Sequence, residues 1–262
     1  MLYLTAEVPF LDYLVMRNLA LVGQVESSVT LSRATSIVGG VAAVLFACLC
    51  LGPVWAEQSV NPGINQGYVN PNVTQWRGVF ERDGREIWDR REEIIRALRL
   101  EPGDVVADIG SGTGFIARMM AKEVMPSGRV YAVDIAENFV DSTVQRARAI
   151  GLSNVVGVVN NPRSVNLPDN SIDLAFTSDT YHHFEYPKST LRSILRALRP
   201  NGEFVVIDFI RIPGISSPWV LGHVRAGEEQ VTEEIEAAGF ELIERLGFMQ
   251  TQYYLRFRKR RD

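Results

Sequence analysis

Apolar positions recur along this 262-residue chain with two alternating periods. From Arg85 the residues Ile87, Ile94, Ile95 and Leu98 fall at helical spacing until Glu101-Pro102-Gly103 stops the pattern. Val105–Ile109 follows as a short apolar run of the kind buried on both faces of a parallel sheet, and the glycines after it lead into a helix from about Phe115 to Glu123. Gly128 resets the chain for a strand at Val130–Val133. A helix at Asn138–Ile150 and strands at Val155–Val159 and Ile172–Thr177 come next, then a helix with Leu191, Ile194, Leu195 and Leu198 on one face, ended by Pro200-Asn201-Gly202. Phe204–Ile207 reads as a strand, Glu228–Ala238 as a helix, and Phe240–Leu246 with Gln252–Arg258 as a closing strand pair. Seven strands alternating with helices predict an α/β fold, a doubly wound, mostly parallel sheet in three αβα layers. The last two strands have no helix between them, so the sheet carries one antiparallel edge strand.

Two segments precede this domain. Residues 37 to 56 carry no charge, and Arg33 stands on their inner side. The run ends at Gly52-Pro53 and Val54-Trp55-Ala56, after which Glu57-Gln58-Ser59 resumes polar sequence, the form of a signal-peptide cleavage site. Residues 1–56 are therefore expected to be a signal peptide or a retained membrane anchor, with lipidation at Cys48 as a further route. Any of these makes the protein exported, periplasmic or extracellular, or held at a membrane through this segment alone; a start-site artefact in the leader would leave it cytoplasmic. Residues 57–84, with Pro62, Pro71 and scattered Gly and Asn, read as a mostly irregular arm anchored by Tyr68, Trp76 and Phe80. The main domain then spans 85–262.

Composition narrows the function. The net charge is −4, and the short basic tail Arg256, Arg258, Lys259, Arg260, Arg261 is expected to cap a strand end in solvent, so no nucleic-acid partner is expected. Both cysteines, Cys48 and Cys50, precede Ala56, which leaves the domain without a thiol for disulfides, nucleophilic catalysis or zinc.

The most informative stretch is Asp108-Ile109-Gly110-Ser111-Gly112-Thr113-Gly114-Phe115, between a strand and a helix. A dinucleotide loop needs a glycine where Phe115 stands, and a nucleoside-triphosphate loop needs Gly-Lys-Ser or Gly-Lys-Thr, which is absent. Asp108 favours a cationic amino-acid group over a phosphate ester. Asp134, 20 residues beyond Gly114 at the end of the second strand, is placed to accept hydrogen bonds from both hydroxyls of a ribose. This combination resembles the Rossmann-like, S-adenosylmethionine-binding core of the class I methyltransferases. The likeness continues through Asn166–Leu174 and Leu198–Glu203 and covers about residues 85–258. It implies S-adenosyl-L-methionine as cofactor. Gly110, Ser111, Gly112 and Gly114 would then meet the methionine portion, Asp108 its amino group, Asp134 the ribose, Ile135 the adenine, and Asn160 or Asn161 the adenine amino group, where the family often carries an acid. It also implies methyl transfer to an oxygen or nitrogen of a small-molecule acceptor, with a non-catalytic module that binds S-adenosylmethionine or a nucleoside as the alternative.

The acceptor side of such a fold lies beyond strands four and five, which here carry Ser178–Phe184 and Asp208–Arg211. His182 is the first candidate base, with Asp179 or Tyr181 to orient it. Asp179 and Asp208 invite a magnesium site like that of catechol-type members, but Phe209 stands where that subgroup has an amide ligand, so no metal is expected. His223-Val224-Arg225 is the remaining polar cluster, with Arg225 expected to pair with Glu228 or Glu229, and Trp76, Phe80, Trp88 and Trp219 are candidate walls of an aromatic acceptor site.

Overall fold

The computed structural model describes residues 56–260; the leader expected at 1–56 falls outside them except for Ala56. In chain order the elements are α1 (Val73–Phe80), α2 (Glu86–Asp89), α3 (Arg91–Leu98), β1 (Val105–Ile109), α4 (Phe115–Glu123), β2 (Arg129–Asp134), α5 (Glu137–Ala149) and β3 (Val155–Val159). They continue with β4 (Ile172–Ser178), α6 (Pro187–Ala197), β5 (Leu198–Phe209), α7 (Pro218–His223), α8 (Glu228–Ala237), β6 (Phe240–Leu246) and β7 (Gln252–Lys259). Short 3-10 turns lie at Gln66–Tyr68 and Tyr181–His183.

The seven strands lie in the order β3-β2-β1-β4-β5-β7-β6. β1 to β5 pair in parallel, and β7 runs antiparallel to both β5 and β6. The expected antiparallel edge pair is present, and the reversed strand sits one place in from the edge. The strand period of two separates the core into two layers. Val205, Ile207 and Tyr254 face the layer holding Ile94, Leu98 and Met120, whereas Phe204, Val206 and Leu255 face the layer holding Leu191, Ile194 and Ile235.

Local departures from the sequence pattern have physical causes. The predicted helix from Arg85 is two pieces, because Arg90 leaves helical geometry at φ −100°, ψ 13°. Pro200-Asn201-Gly202 does not end α6 but lies inside β5: Leu198 already pairs with Ile172, and the ladder shifts register before Leu174 meets Glu203. The arm is less irregular than expected, since Asn72 caps α1 by accepting from the Gln75 amide at 3.1 Å. The arm is also bonded to the domain. The Glu57 carboxylate accepts from the Lys188 and Ser189 amides, both at 2.8 Å, and so satisfies the open N-terminus of α6, whose own N-cap residue Tyr186 makes no side-chain cap. Among the described residues no helix is long and apolar enough to cross a membrane.

The basic tail does not lie wholly in solvent. Arg256 is 2% exposed; it pairs with Glu203 and Glu244, and together with the Tyr254 hydroxyl it donates to the Ala97 carbonyl at the open C-terminus of α3. Arg256→Ala is expected to lower the unfolding free energy by about 2 kcal/mol in urea denaturation, because it removes a buried side chain and one of the two donors to that carbonyl, leaving Tyr254 there and Arg258 on Glu203. A loss below about 0.5 kcal/mol would show that water replaces the guanidinium.

Candidate active site

At the carboxyl ends of β1, β2 and β4 the chain opens into a cavity of about 700 Å³. Its position is the crevice where β1 and β4 lie side by side and the connections from them leave over opposite faces of the sheet.

One half is built by the glycine loop. Gly110, Gly112 and Gly114 have φ of 75°, 51° and 69°, so the alternate glycines meet a backbone need. Their surroundings differ, however. A Cβ on Gly110 would stand 2.2 Å from Thr180, and one on Gly112 would stand 3.1 Å from Phe80. Gly114 does not line the cavity: a Cβ there would stand 2.2 Å from Thr143, so this glycine lets α5 pack on the start of α4. The loop's amides are used within the protein. Those of Gly110 and Ser111 donate to the Val133 carbonyl, that of Gly112 to the Asp134 carboxylate at 2.8 Å, and that of Gly114 to the Ser111 carbonyl. No ring of free amides remains in the loop to cradle a phosphate, which agrees with the charge of Asp108.

Other groups on this half suit an adenosyl amino acid. Asp108 is 3% exposed, and burial followed by the nearby Asp134 charge pushes its carboxyl up to about 7. Asp134 uses its carboxylate to hold the Gly112 and Ala136 amides, and burial raises its pKa as well. Ile135 lines the cavity beside it. Ser111 Oγ and Asn160 Oδ1 are buried without partners, one near the methionine end and one at the adenine end, where Oδ1 can accept from an amino group. Asn161 lies at the rim with its side chain committed to the Arg163 amide and Asn166, so of the expected pair Asn160 carries the free acceptor.

The other half follows β4 and β5. Asp179, at a left-handed φ of 47°, turns the chain out of β4 into the Tyr181–His183 turn. His182 does line the cavity, but Asp208 orients it in place of Asp179 or Tyr181. Nδ1 of His182 lies 2.8 Å from Asp208 Oδ1, and Asp208 also accepts from the His182 and Phe209 amides. Burial raises the Asp208 carboxyl, but His182 and these hydrogen bonds outweigh it and hold the group below its ordinary value. The ionised carboxylate only accepts, which places the proton on Nδ1 and leaves Nε2 toward the ligand side. For His182, burial lowers the pKa and Asp208 more than reverses it.

The remaining expectations divide. Asp179 lines the cavity but is held by Arg85 at 2.8 Å and Gln252 at 3.1 Å, and burial raises its pKa despite Arg85. Tyr181 points away from the cavity; its hydroxyl donates to Glu234 at 2.8 Å, which removes it from the reacting groups. Arg225 pairs with that same Glu234 through two 2.8 Å bonds, not with Glu228 or Glu229, because Glu234 lies on the inward side of α8. Trp88 packs on Phe115 outside the cavity, whereas Trp76, Phe80 and Trp219 line it. Two groups were not foreseen here, Arg85 and Gln252, and His183, expected only within the acceptor-side segment, also lines the cavity. The arm supplies the roof, an aromatic row in which His183, Tyr68, Trp76 and Phe80 follow one another at centroid spacings of 4.9, 5.0 and 5.0 Å. Glu81 fastens its end through Arg146 and Arg118.

The raised Asp108 pKa fixes a direction. A carboxyl whose folded value lies above its ordinary 3.8 holds its proton in the fold, so its burial costs stability progressively as the pH rises from there to about 7. A cationic amino group from the ligand needs the ionised form. S-adenosylmethionine affinity is therefore expected to rise with pH, by up to about tenfold per unit across roughly pH 5 to 7, with proton release visible by calorimetry in buffers of different ionisation heat. Asp108→Asn should flatten the profile; a flat profile in the unaltered protein would remove Asp108 from the ligand.

Comparison with known proteins agrees with this geometry. The family described as "Methyltransferase domain" matches residues 107–206. The ubiquinone/menaquinone biosynthesis C-methyltransferase of Hydrogenovibrio crunogenus is 32% identical over 172 residues, 60% of this chain and 67% of that protein. A demethylmenaquinone methyltransferase of Listeria welshimeri is 30% identical over 148 residues, 56% of this chain and 62% of that one. Among solved structures, an S-adenosylmethionine-dependent methyltransferase from Aquifex aeolicus superposes with a TM-score of 0.64 at 24% identity, over 71% of this chain and 98% of its own. The enzyme reading thus holds over the non-catalytic one, and the chain belongs to the class I S-adenosylmethionine-dependent methyltransferases.

Proposed function

We propose that the acceptor is a flat, hydroxylated aromatic ring and that the methyl group goes to a ring carbon. The observation that carries this reading is the make-up of the acceptor half: Tyr68, Trp76, Phe209 and Trp219 offer ring faces, and His182, fixed by Asp208, offers a polar edge among them. Aromatic walls favour a planar guest through offset and edge contacts, and one imidazole edge suits one hydroxyl. The sequence alone suggested an oxygen or nitrogen acceptor; the word C-methyltransferase in the name of the Hydrogenovibrio relative supports carbon.

S-adenosylmethionine supplies an electrophilic methyl group on a cationic sulfur that leaves as a neutral thioether. The protein's part is to position and to remove protons. The imidazole edge is where the ring hydroxyl loses its proton, and the resulting oxyanion pushes electron density to the ring carbon that forms the new bond. That carbon then gives up its own hydrogen as a proton, which restores the aromatic ring. The roof of Tyr68, Trp76 and Phe80 keeps water from the transfer axis.

We also propose export. The uncharged run at 37–56 supports it, and so does Glu57: the residue after the expected cut is bonded to α6, a contact that cleavage before it would retain. Protein recovered from the periplasm or medium should begin at Glu57 by N-terminal mass analysis, and an intact leader on all of it would sink cleavage.

The acceptor reading is tested with S-adenosylmethionine carrying a 13C-methyl group and a panel of phenols and quinols. The expected product has its label on a ring carbon by NMR. Asp208→Asn should cut turnover about 100-fold or more and leave adenosyl-ligand affinity within about twofold. Label found on oxygen or nitrogen would overturn the carbon assignment.

A further inference from the structure

The chain contains three histidines, and all three meet at one wall of the cavity. His182 and His183 come from the turn after β4, and His223 comes from the end of α7, 40 residues later in the chain. Their ring centroids are 4.4, 5.1 and 5.2 Å apart. One ring nitrogen from each lies within 4.8 Å of the others.

Two ring nitrogens of this trio have no partner: Nδ1 of His183 and Nε2 of His223 are both buried without a hydrogen bond. A buried polar atom left unpaired is destabilising, and two on neighbouring rings call for an explanation. His182 adds the third nitrogen. Its Nδ1 is committed to Asp208, so Nε2 is the one that it offers. A histidine that donates its far nitrogen to a carboxylate is the arrangement that fixes and strengthens a metal-bound imidazole.

From this convergence we infer that His182, His183 and His223 bind one divalent transition-metal ion, zinc by its donor set, with the fourth position open to the acceptor. This rests on the acceptor reading above and deepens it. Three neutral imidazole nitrogens suit zinc and its neighbours in the first transition row, whereas magnesium and calcium require oxygen ligands. Asp179, three residues before His182, is held by Arg85 and Gln252. A tetrahedral site with bonds of about 2.05 Å needs nitrogens about 3.3 Å apart, so the rings must draw together from their present spacing. Side-chain rotation supplies that movement, with His223 turning against Trp219, on which it stacks at 4.7 Å. Three protein ligands and one open position form a site for binding an exchangeable oxygen. The acceptor hydroxyl takes that position as an oxyanion, its proton passing to solvent in place of the imidazole edge, whose Nε2 holds the ion; the new carbon–methyl bond and the loss of the ring proton then follow as written above. The magnesium site weighed from the sequence used Asp179 and Asp208; the site inferred here uses neither as a ligand and places Asp208 behind one.

The test is a titration of the full chain, freed of metal by a chelator, with cobalt(II) and then zinc. One equivalent of cobalt is expected to give the intense visible bands of a tetrahedral complex, and zinc should displace it. His183→Ala and His223→Ala should each weaken cobalt binding at least about 100-fold, and Asp208→Asn about 10- to 100-fold. One equivalent of zinc should also raise Tm in the unaltered protein, a readout that needs no variant. No saturable one-to-one complex, no shift in Tm, or undiminished binding in both folded histidine variants would overturn the site. S-adenosylmethionine binding to the metal-free protein is measured alongside: its loss would count against the methyltransferase pocket, and its persistence without metal binding would count against the metal site alone.

Discussion

The parallel pairing of β1 with β4 is the constraint on which the rest depends. The strands share a register from Val106 opposite Leu174 to Asp108 opposite Phe176, and the segments that leave them diverge over opposite faces. A crevice at their carboxyl ends is then unavoidable, and Asp108, Asp134, Asp179 and the three histidines stand on its edges. The glycine loop leaves β1 and turns into α4; Asp179 leaves β4 and turns into the histidine pair. Thr180 closes the two sides against each other, and its side chain occupies the space that any Cβ on Gly110 would need.

The arm makes this open crevice a chamber. Its aromatic row, Tyr68, Trp76 and Phe80, runs from His183 on the acceptor side to Gly112, so one continuous roof spans both halves of the cavity. The row is held at both ends by charged contacts with the domain, at Glu57 on α6 and at Glu81 on Arg146 and Arg118. Residues 57–84, which are neither sheet nor core, thus form part of the cavity lining.

Low dielectric gives the wall its character. Burial, then the neighbouring histidines, pushes His183 down to about 3, and burial followed by His182 lowers His223, whereas the Asp208 carboxylate raises His182. Neutral rings with open lone pairs therefore surround a ring that is fixed from behind. Three imidazoles so close cannot all carry a proton, and the arrangement is suited to sharing a cation or handling the proton of a hydroxyl.

Local pattern decided much of this protein. The periods of two and 3.6 placed every strand but β5, and the helices α4, α5 and α8, within a residue or so, because burial on one face or two is written directly in the order of apolar residues. The alternate glycines, with Asp108 and Asp134, were legible as a ligand loop because positive φ and a carboxylate at a strand end are local requirements. Tertiary structure decided which partners meet. Asp208 in place of Asp179 or Tyr181 behind His182, Glu234 on Arg225, Thr143 under Gly114 and the burial of Arg256 all depend on side chains brought together from separate strands and helices. The histidine wall is the clearest case: His182 and His183 are adjacent in the chain, but His223 joins them through the packing of α7 against the turn after β4. Three histidines in 262 residues were countable from the start, yet their convergence exists only once β4 and β5 lie side by side.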